Sequence, residues 1–214
     1  DDVDANFWSG IAYQELGDFG KAEQYLRKSL ALAPERVVSL YFTLQKYEEA
    51  IEVLQKALED NPDNVDANYW IGIAYQELGD FDKAEQHLSK TLALAPEREE
   101  IYNALGYLWA DRGTKLDEAV ALIQKALQSS PENGAYLDSL GWAYFKQGKL
   151  DAALTELEKA VRSMPDSAEI HDHVGEVYLK KGLVQKAIAA WQKAIQLEPD
   201  NVKIQEKLKL HQEE

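Results

Sequence analysis

The chain of 214 residues contains no cysteine and a single methionine. The missing thiols exclude disulfides and thiolate zinc sites, and they suit cytoplasm and periplasm alike. Positive charge is scarce: 23 lysines and arginines stand against 38 acids, a net charge of −15. With that sign the sequence-independent attraction behind nucleic-acid binding is absent, and contact with an anionic membrane surface is unfavourable for the same reason. No apolar run reaches the roughly 18 residues that a spanning helix needs. The six prolines and twelve glycines are few enough for each position to be read.

Those positions are periodic. Pro34, Pro62, Pro96, Pro131, Pro165 and Pro199 follow one another at 28, 34, 35, 34 and 34 residues. One glycine series is Gly10, Gly72, Gly106, Gly141 and Gly175; a second is Gly17, Gly79, Gly113, Gly148 and Gly182. Alanine recurs after the second series at Ala22, Ala50, Ala84, Ala119, Ala153 and Ala187. Residues 63–96 (DNVDANYWIGIAYQELGDFDKAEQHLSKTLALAP) nearly repeat residues 1–34, so one supersecondary unit is used many times.

Within that unit, Val65–Leu78 carries apolar residues three and four apart, the mark of an amphipathic helix. Gly79 supplies a left-handed turn and Asp80 a cap for a second helix, Phe81–Leu94, which Pro96 ends. Gly72 and Ala84 fall where two antiparallel helices would cross, their small size allowing close approach. The stripe continues one repeat later at Ala104, Leu105, Tyr107 and Leu108. A single pair cannot bury its apolar face, whereas stacked pairs share a continuous core.

The period of 34 with its W-L-G-Y…A…F…P pattern resembles the tetratricopeptide-repeat (TPR) family over residues 1–199. The resemblance implies an all-α fold, an α-solenoid of stacked antiparallel helix pairs, right-handed, with a concave face made by the first helix of each pair. The expected organisation is a single array of repeats at 1–34, 35–62, 63–96, 97–131, 132–165 and 166–199, closed by an amphipathic capping helix over 200–214. Repeat two is six residues short, and counting from Pro34 and Ala50 places the shortfall near Phe42-Thr43. A true deletion there and a stretch missing from the chain are both open. Repeat four carries one extra residue at Thr114-Lys115, between its helices, where insertion is cheap. The first repeat begins almost at Asp1, which reads as a segment of a longer protein.

With the first glycine as place 8, places 2, 5, 9, 12 and 13 of the first helix share one face. In the five full repeats these 25 places hold ten acids and two lysines, a net charge of −8, with aromatic groups among them. Such a face suits a peptide or protein segment with basic and apolar side chains. The residues expected to bind it are Phe7, Asp66, Tyr69, Tyr107, Asp138, Trp142, Phe145, Asp172 and Glu176, with Trp142 the leading anchor. The competing reading is local: Asp4, Asp66, Glu100 and Glu169 lie in first helical turns, where acids favour the helix dipole whatever the ligand. Trp191, on a second helix, reads as core.

No catalytic residue, metal or cofactor is expected. His171-Asp172-His173 suggests a metal cluster, but helical residues two apart point about 200° from one another. Gly141–Lys149 ends in Gly-Lys without the spacing of a phosphate loop, and no carboxylate is paired with a histidine or serine at a triad or dyad spacing. Where the chaperone-tail-binding TPR subtype carries lysines and asparagines, this chain has Phe7, Ile11, Tyr69 and Ile73. The stretch Ile101–Asn201 is similar to the last repeats of long bacterial TPR proteins, some of them envelope lipoproteins. That similarity implies a bacterial, non-enzymatic adaptor that presents partners to an enzyme; it favours the periplasm slightly and leaves the cytoplasm open. Self-assembly into homo-oligomers and service as a regulatory segment of a larger enzyme are the alternative roles.

Overall fold

The computed structural model describes residues 2–32 and 34–212, and among them there are thirteen α-helices and no strand. In chain order they are α1 (Val3–Glu15) and α2 (Phe19–Leu32), α3 (Pro34–Thr43) and α4 (Tyr47–Asp60), and α5 (Val65–Glu77) and α6 (Phe81–Leu94). There follow α7 (Glu99–Arg112) and α8 (Leu116–Ser129), α9 (Gly134–Lys146) and α10 (Leu150–Ser163), α11 (Ala168–Lys180) and α12 (Val184–Leu197), then α13 (Val202–Gln212). The fold class is the expected α-solenoid of packed helix pairs.

The punctuation follows the sequence. Gly17, Gly79, Gly113, Gly148 and Gly182 all take a left-handed backbone, φ between 74° and 78°, at the turn between paired helices. Just after the turn, Asp80 Oδ1 accepts from the Lys83 amide at 3.3 Å, and Asp18 does the same for Lys21 at 3.2 Å. The earlier glycine series marks the crossing. A Cβ on Gly141 would stand 2.6 Å from Leu157 Cγ, closer than packed atoms tolerate, with the Ala153 carbonyl in tight contact at 3.1 Å.

Place 4 of the first helix has a duty the pattern did not announce. Asn68 donates to the Pro62 carbonyl at 3.1 Å, Tyr102 to that of Pro96 at 2.7 Å, and Gln205 to that of Pro199 at 2.5 Å. Each bond ties a linker carbonyl, left without a helical partner, to the helix that follows.

The chain divides into two compact units, Asp1–His87 and Leu88–Glu214, with the division inside α6. In the first, Phe7, Ile11, Val37, Leu40, Tyr41 and Ala50 form one core cluster and Val38, Leu54, Ala67 and Ile71 another. In the second, α7, α9 and α11 pack side by side. Each also packs on its own second helix, and α9 and α11 pack on the second helix of the preceding repeat as well. Trp191 is wholly buried, in a cluster that includes Ile204 of α13, so the terminal helix covers the last pair as expected of a cap.

The short second repeat is resolved differently from the reading at Phe42-Thr43. Successive repeats elsewhere are separated by four residues, as at 61–64 and 130–133; between α2 and α3 residue 33 lies outside the described residues. The first helix α3 has ten residues against thirteen in α5. Three of the six missing residues are therefore missing from the first helix itself. With no glycine in this repeat, Gln45 adopts the left-handed turn at φ 54°. The inserted residue of repeat four likewise leaves Lys115 at φ 47° beside Gly113.

Candidate functional site on α7, α9 and α11

Helical spacing puts Tyr107 and Asp111 on α7, Asp138, Trp142, Phe145 and Lys146 on α9, and Glu169, His173 and Glu176 on α11. The second unit brings these groups together. Trp142 is half-buried and stacks with two rings, its centroid 4.9 Å from that of Phe145 and 4.2 Å from that of His173. Its indole N–H donates to Asp111 Oδ1 at 3.2 Å, and the Lys146 ammonium lies 5.1 Å from its ring centroid. The Tyr107 hydroxyl donates to Glu169 Oε1 at 3.2 Å. Burial, then the charges of Glu169, Asp111 and Asp138, push the Tyr107 phenol far above its usual range, which keeps it a neutral donor.

The carboxylates differ from the expectation. Asp138 is only 5% exposed, and His173, itself 6% exposed, donates from Nδ1 to its two oxygens at 2.9 and 3.0 Å. Asp172 accepts from the Lys207 ammonium at 2.8 Å to each oxygen, and Glu176 accepts from the same ammonium at 2.7 Å. Lys146 Nζ donates to the Asp111 carbonyl at 2.8 Å and stands 3.9 Å from its carboxylate. Burial works against charge on Lys207, but its hydrogen bonds to the two acids outweigh that and raise its pKa. At His173 burial likewise favours the neutral ring. The charge and hydrogen bond of Asp138, with Glu169 and Asp172 behind them, prevail and push its pKa up to about 9.

The acidic count on this face was therefore incomplete. It omitted place 6, whose side chain reaches back to place 5 of the preceding repeat: His173 to Asp138, and Lys207 to Asp172. Asp138 is thus a partner of the next helix rather than an open contact, a correction to its expected role. Phe7 needs the same correction. It is 0% exposed, set edge-on against Tyr41 and Trp8 at centroid distances of 5.1 and 5.5 Å, because the short α3 lays Tyr41 over it. In the first unit Asp66 is exposed and Tyr69 half-buried, the latter edge-on to Trp70 at 5.2 Å. In the second, Tyr107, Phe145, Asp172 and Glu176 are half-buried and Glu169 is exposed.

Each residue of His171-Asp172-His173 has a different neighbour. His171 Nε2 donates to the Pro165 carbonyl at 2.9 Å, the place-4 duty performed elsewhere by Asn68, Tyr102 and Gln205. Glu169 and His173, four apart, do share a face of α11, and with Asp138 they bring three metal-capable atoms within 4.8 Å of one another. Sequence spacing along one helix could have shown the first two. The third needed the register of α9 against α11.

Residues 3–212 match the family model of the cilia and flagella-associated protein 70 C-terminal domain. The chain is 31% identical over 142 residues to a TPR repeat-containing protein of Pseudomonas aeruginosa, covering 63% of this chain and 24% of that protein. It is 34% identical over 115 residues to the BBSome complex member BBS4 of Bos taurus, covering 53% and 22%. The chain thus spans about a quarter of the length of these relatives. The crystal structure of a thermophilic TPR protein of Thermus thermophilus superposes with a TM-score of 0.73 at 23% identity, covering 83% of this chain and 96% of that one.

Proposed function

On the premise that the chain belongs to the tetratricopeptide-repeat family, we propose that it is a non-enzymatic adaptor that holds a peptide or protein segment against α7, α9 and α11. Proteins of this family mediate contacts between proteins. The observation that carries the reading is the Trp142 ring, half-buried and braced by Phe145 and His173, with its edge fixed by Asp111. A rigid aromatic side chain of this kind gives large contact area with little entropy left to lose. Trp142, Phe145 and Tyr107 receive an apolar side chain of the segment. Basic groups meet the exposed Glu169 and the Asp172–Glu176 pair, whose two charges share one ammonium. Asp66 and Tyr69 offer a similar acid and aromatic in the first unit.

The test is selection of random twelve-residue peptides on the immobilised chain, then affinity measurement of the selected peptides by fluorescence anisotropy. Selected sequences combine Leu, Phe or Trp with Lys or Arg, and Trp142→Ala weakens them by at least about tenfold, the loss expected of an interface anchor. Glu169→Lys weakens them further at low salt than at high salt. Peptides that bind Trp142→Ala and Glu169→Lys as they bind the unaltered chain sink the assignment.

A further inference from the structure

Three donors of differing chemistry converge beside Trp142: Asp138 on α9, and Glu169 and His173 on α11. Glu169 and His173 sit one helical turn apart, which presents a carboxylate and an imidazole on the same side of one helix. Asp138 faces them from the adjoining helix, its oxygens already 2.9 and 3.0 Å from His173 Nδ1. We propose that Asp138, Glu169 and His173 form a binding site for one zinc ion, which bridges α9 and α11. This goes beyond the adaptor reading and stands or falls without it.

Three features favour it. The donor set is one nitrogen and two carboxylates. That suits zinc, whereas magnesium and calcium prefer oxygen alone. The imidazole is also held in place: Trp142 lies flat against the His173 ring with an interplanar angle of 17°, so an outer group fixes its orientation. Finally, the three donor atoms lie within 4.8 Å of one another. Bonds of about 2.0–2.2 Å require donors about 3.4 Å apart in a tetrahedron. The Asp138–His173 pair is near that spacing already; zinc displaces the Nδ1 proton between them to solvent, and the exposed Glu169 closes the remainder by side-chain rotation. Asp138 and His173 are buried while Glu169 is exposed, so the fourth position opens toward water or a ligand group.

The experiment is titration of chelator-treated chain with zinc chloride, followed by calorimetry and native mass spectrometry, with cobalt(II) absorption to read the geometry. One zinc per chain binds, and cobalt gives the visible band of a four-coordinate nitrogen–oxygen site. Glu169→Gln, at an exposed position that leaves the fold intact, weakens zinc by at least about tenfold, and His173→Asn abolishes the band. His171→Ala, whose ring serves the Pro165 carbonyl, leaves affinity unchanged. The proposal is overturned if the unaltered chain binds no stoichiometric zinc, or if Glu169→Gln binds it as tightly as the unaltered chain.

Discussion

The second and the fifth repeats reach the same helical hairpin by different means. The fifth, in the second unit, has a glycine at the helix crossing, a glycine at the turn and a buried ion pair to its successor. The second, in the first unit, has no glycine at all; its first helix is shortened to ten residues and its turn is made by Gln45. The fifth repeat thus depends on close approach and, at its seam with the sixth, on a buried polar pair. The short one depends on apolar side chains, Val37, Val38, Leu40 and Tyr41, that fill the space themselves.

The widest gap should appear at the ion pairs. Asp138→Ala strands a buried His173 and is expected to cost about 3–5 kcal/mol in urea denaturation. Asp4→Ala removes a solvent-screened pair with Arg36, at 2.9 Å, and should cost far less. Equal losses would erase the distinction. The same pair sets a pH response in metal-free protein. The folded pKa of His173 is raised above the ordinary histidine value of 6.5, so its stabilisation is complete below pH 6.5 and is lost as pH rises through about 9. Melting temperature followed across that window should fall for the unaltered chain and stay flatter for His173→Asn.

Next in size is the crossing. Gly141→Ala forces a methyl to 2.6 Å from Leu157 Cγ and should destabilise by about 1–3 kcal/mol. A neutral outcome would mean that α9 and α10 separate more readily than their packing implies. The smallest effect belongs to the turn of repeat two. Gln45→Gly relieves a left-handed backbone at φ 54° and should stabilise by about 0.5–1 kcal/mol. Thermal melts that show no gain would place compensating bonds on the Gln45 side chain.

The helices, their turns and their crossings were legible because each depends on one residue type in a fixed frame: glycine for backbone freedom, aspartate for a cap, proline for a stop. Trp191 was legible as core for the same reason. The site was legible only in part. Trp142, Phe145 and Tyr107 were chosen by face, yet face alone does not tell a half-buried ring from a sealed one, and Phe7 is sealed by Tyr41 from another repeat. Likewise, whether an acid on that face is open depends on what place 6 of the following helix carries. A pattern that compares equivalent places does not join unlike ones.

That offset gives the array an order. Place 6 is tryptophan in repeats one and three, alanine in repeat four and serine in repeat five, and none of these could answer the carboxylate of Asp138. Were a duplicate of repeat three spliced in behind repeat five, Trp70 would stand where His173 does, and a buried anion would be left without a counter-charge. Modules with nearly the same wording are therefore not interchangeable along this chain. Unequal recombination among them is filtered at the seam between α9 and α11 before any ligand is met.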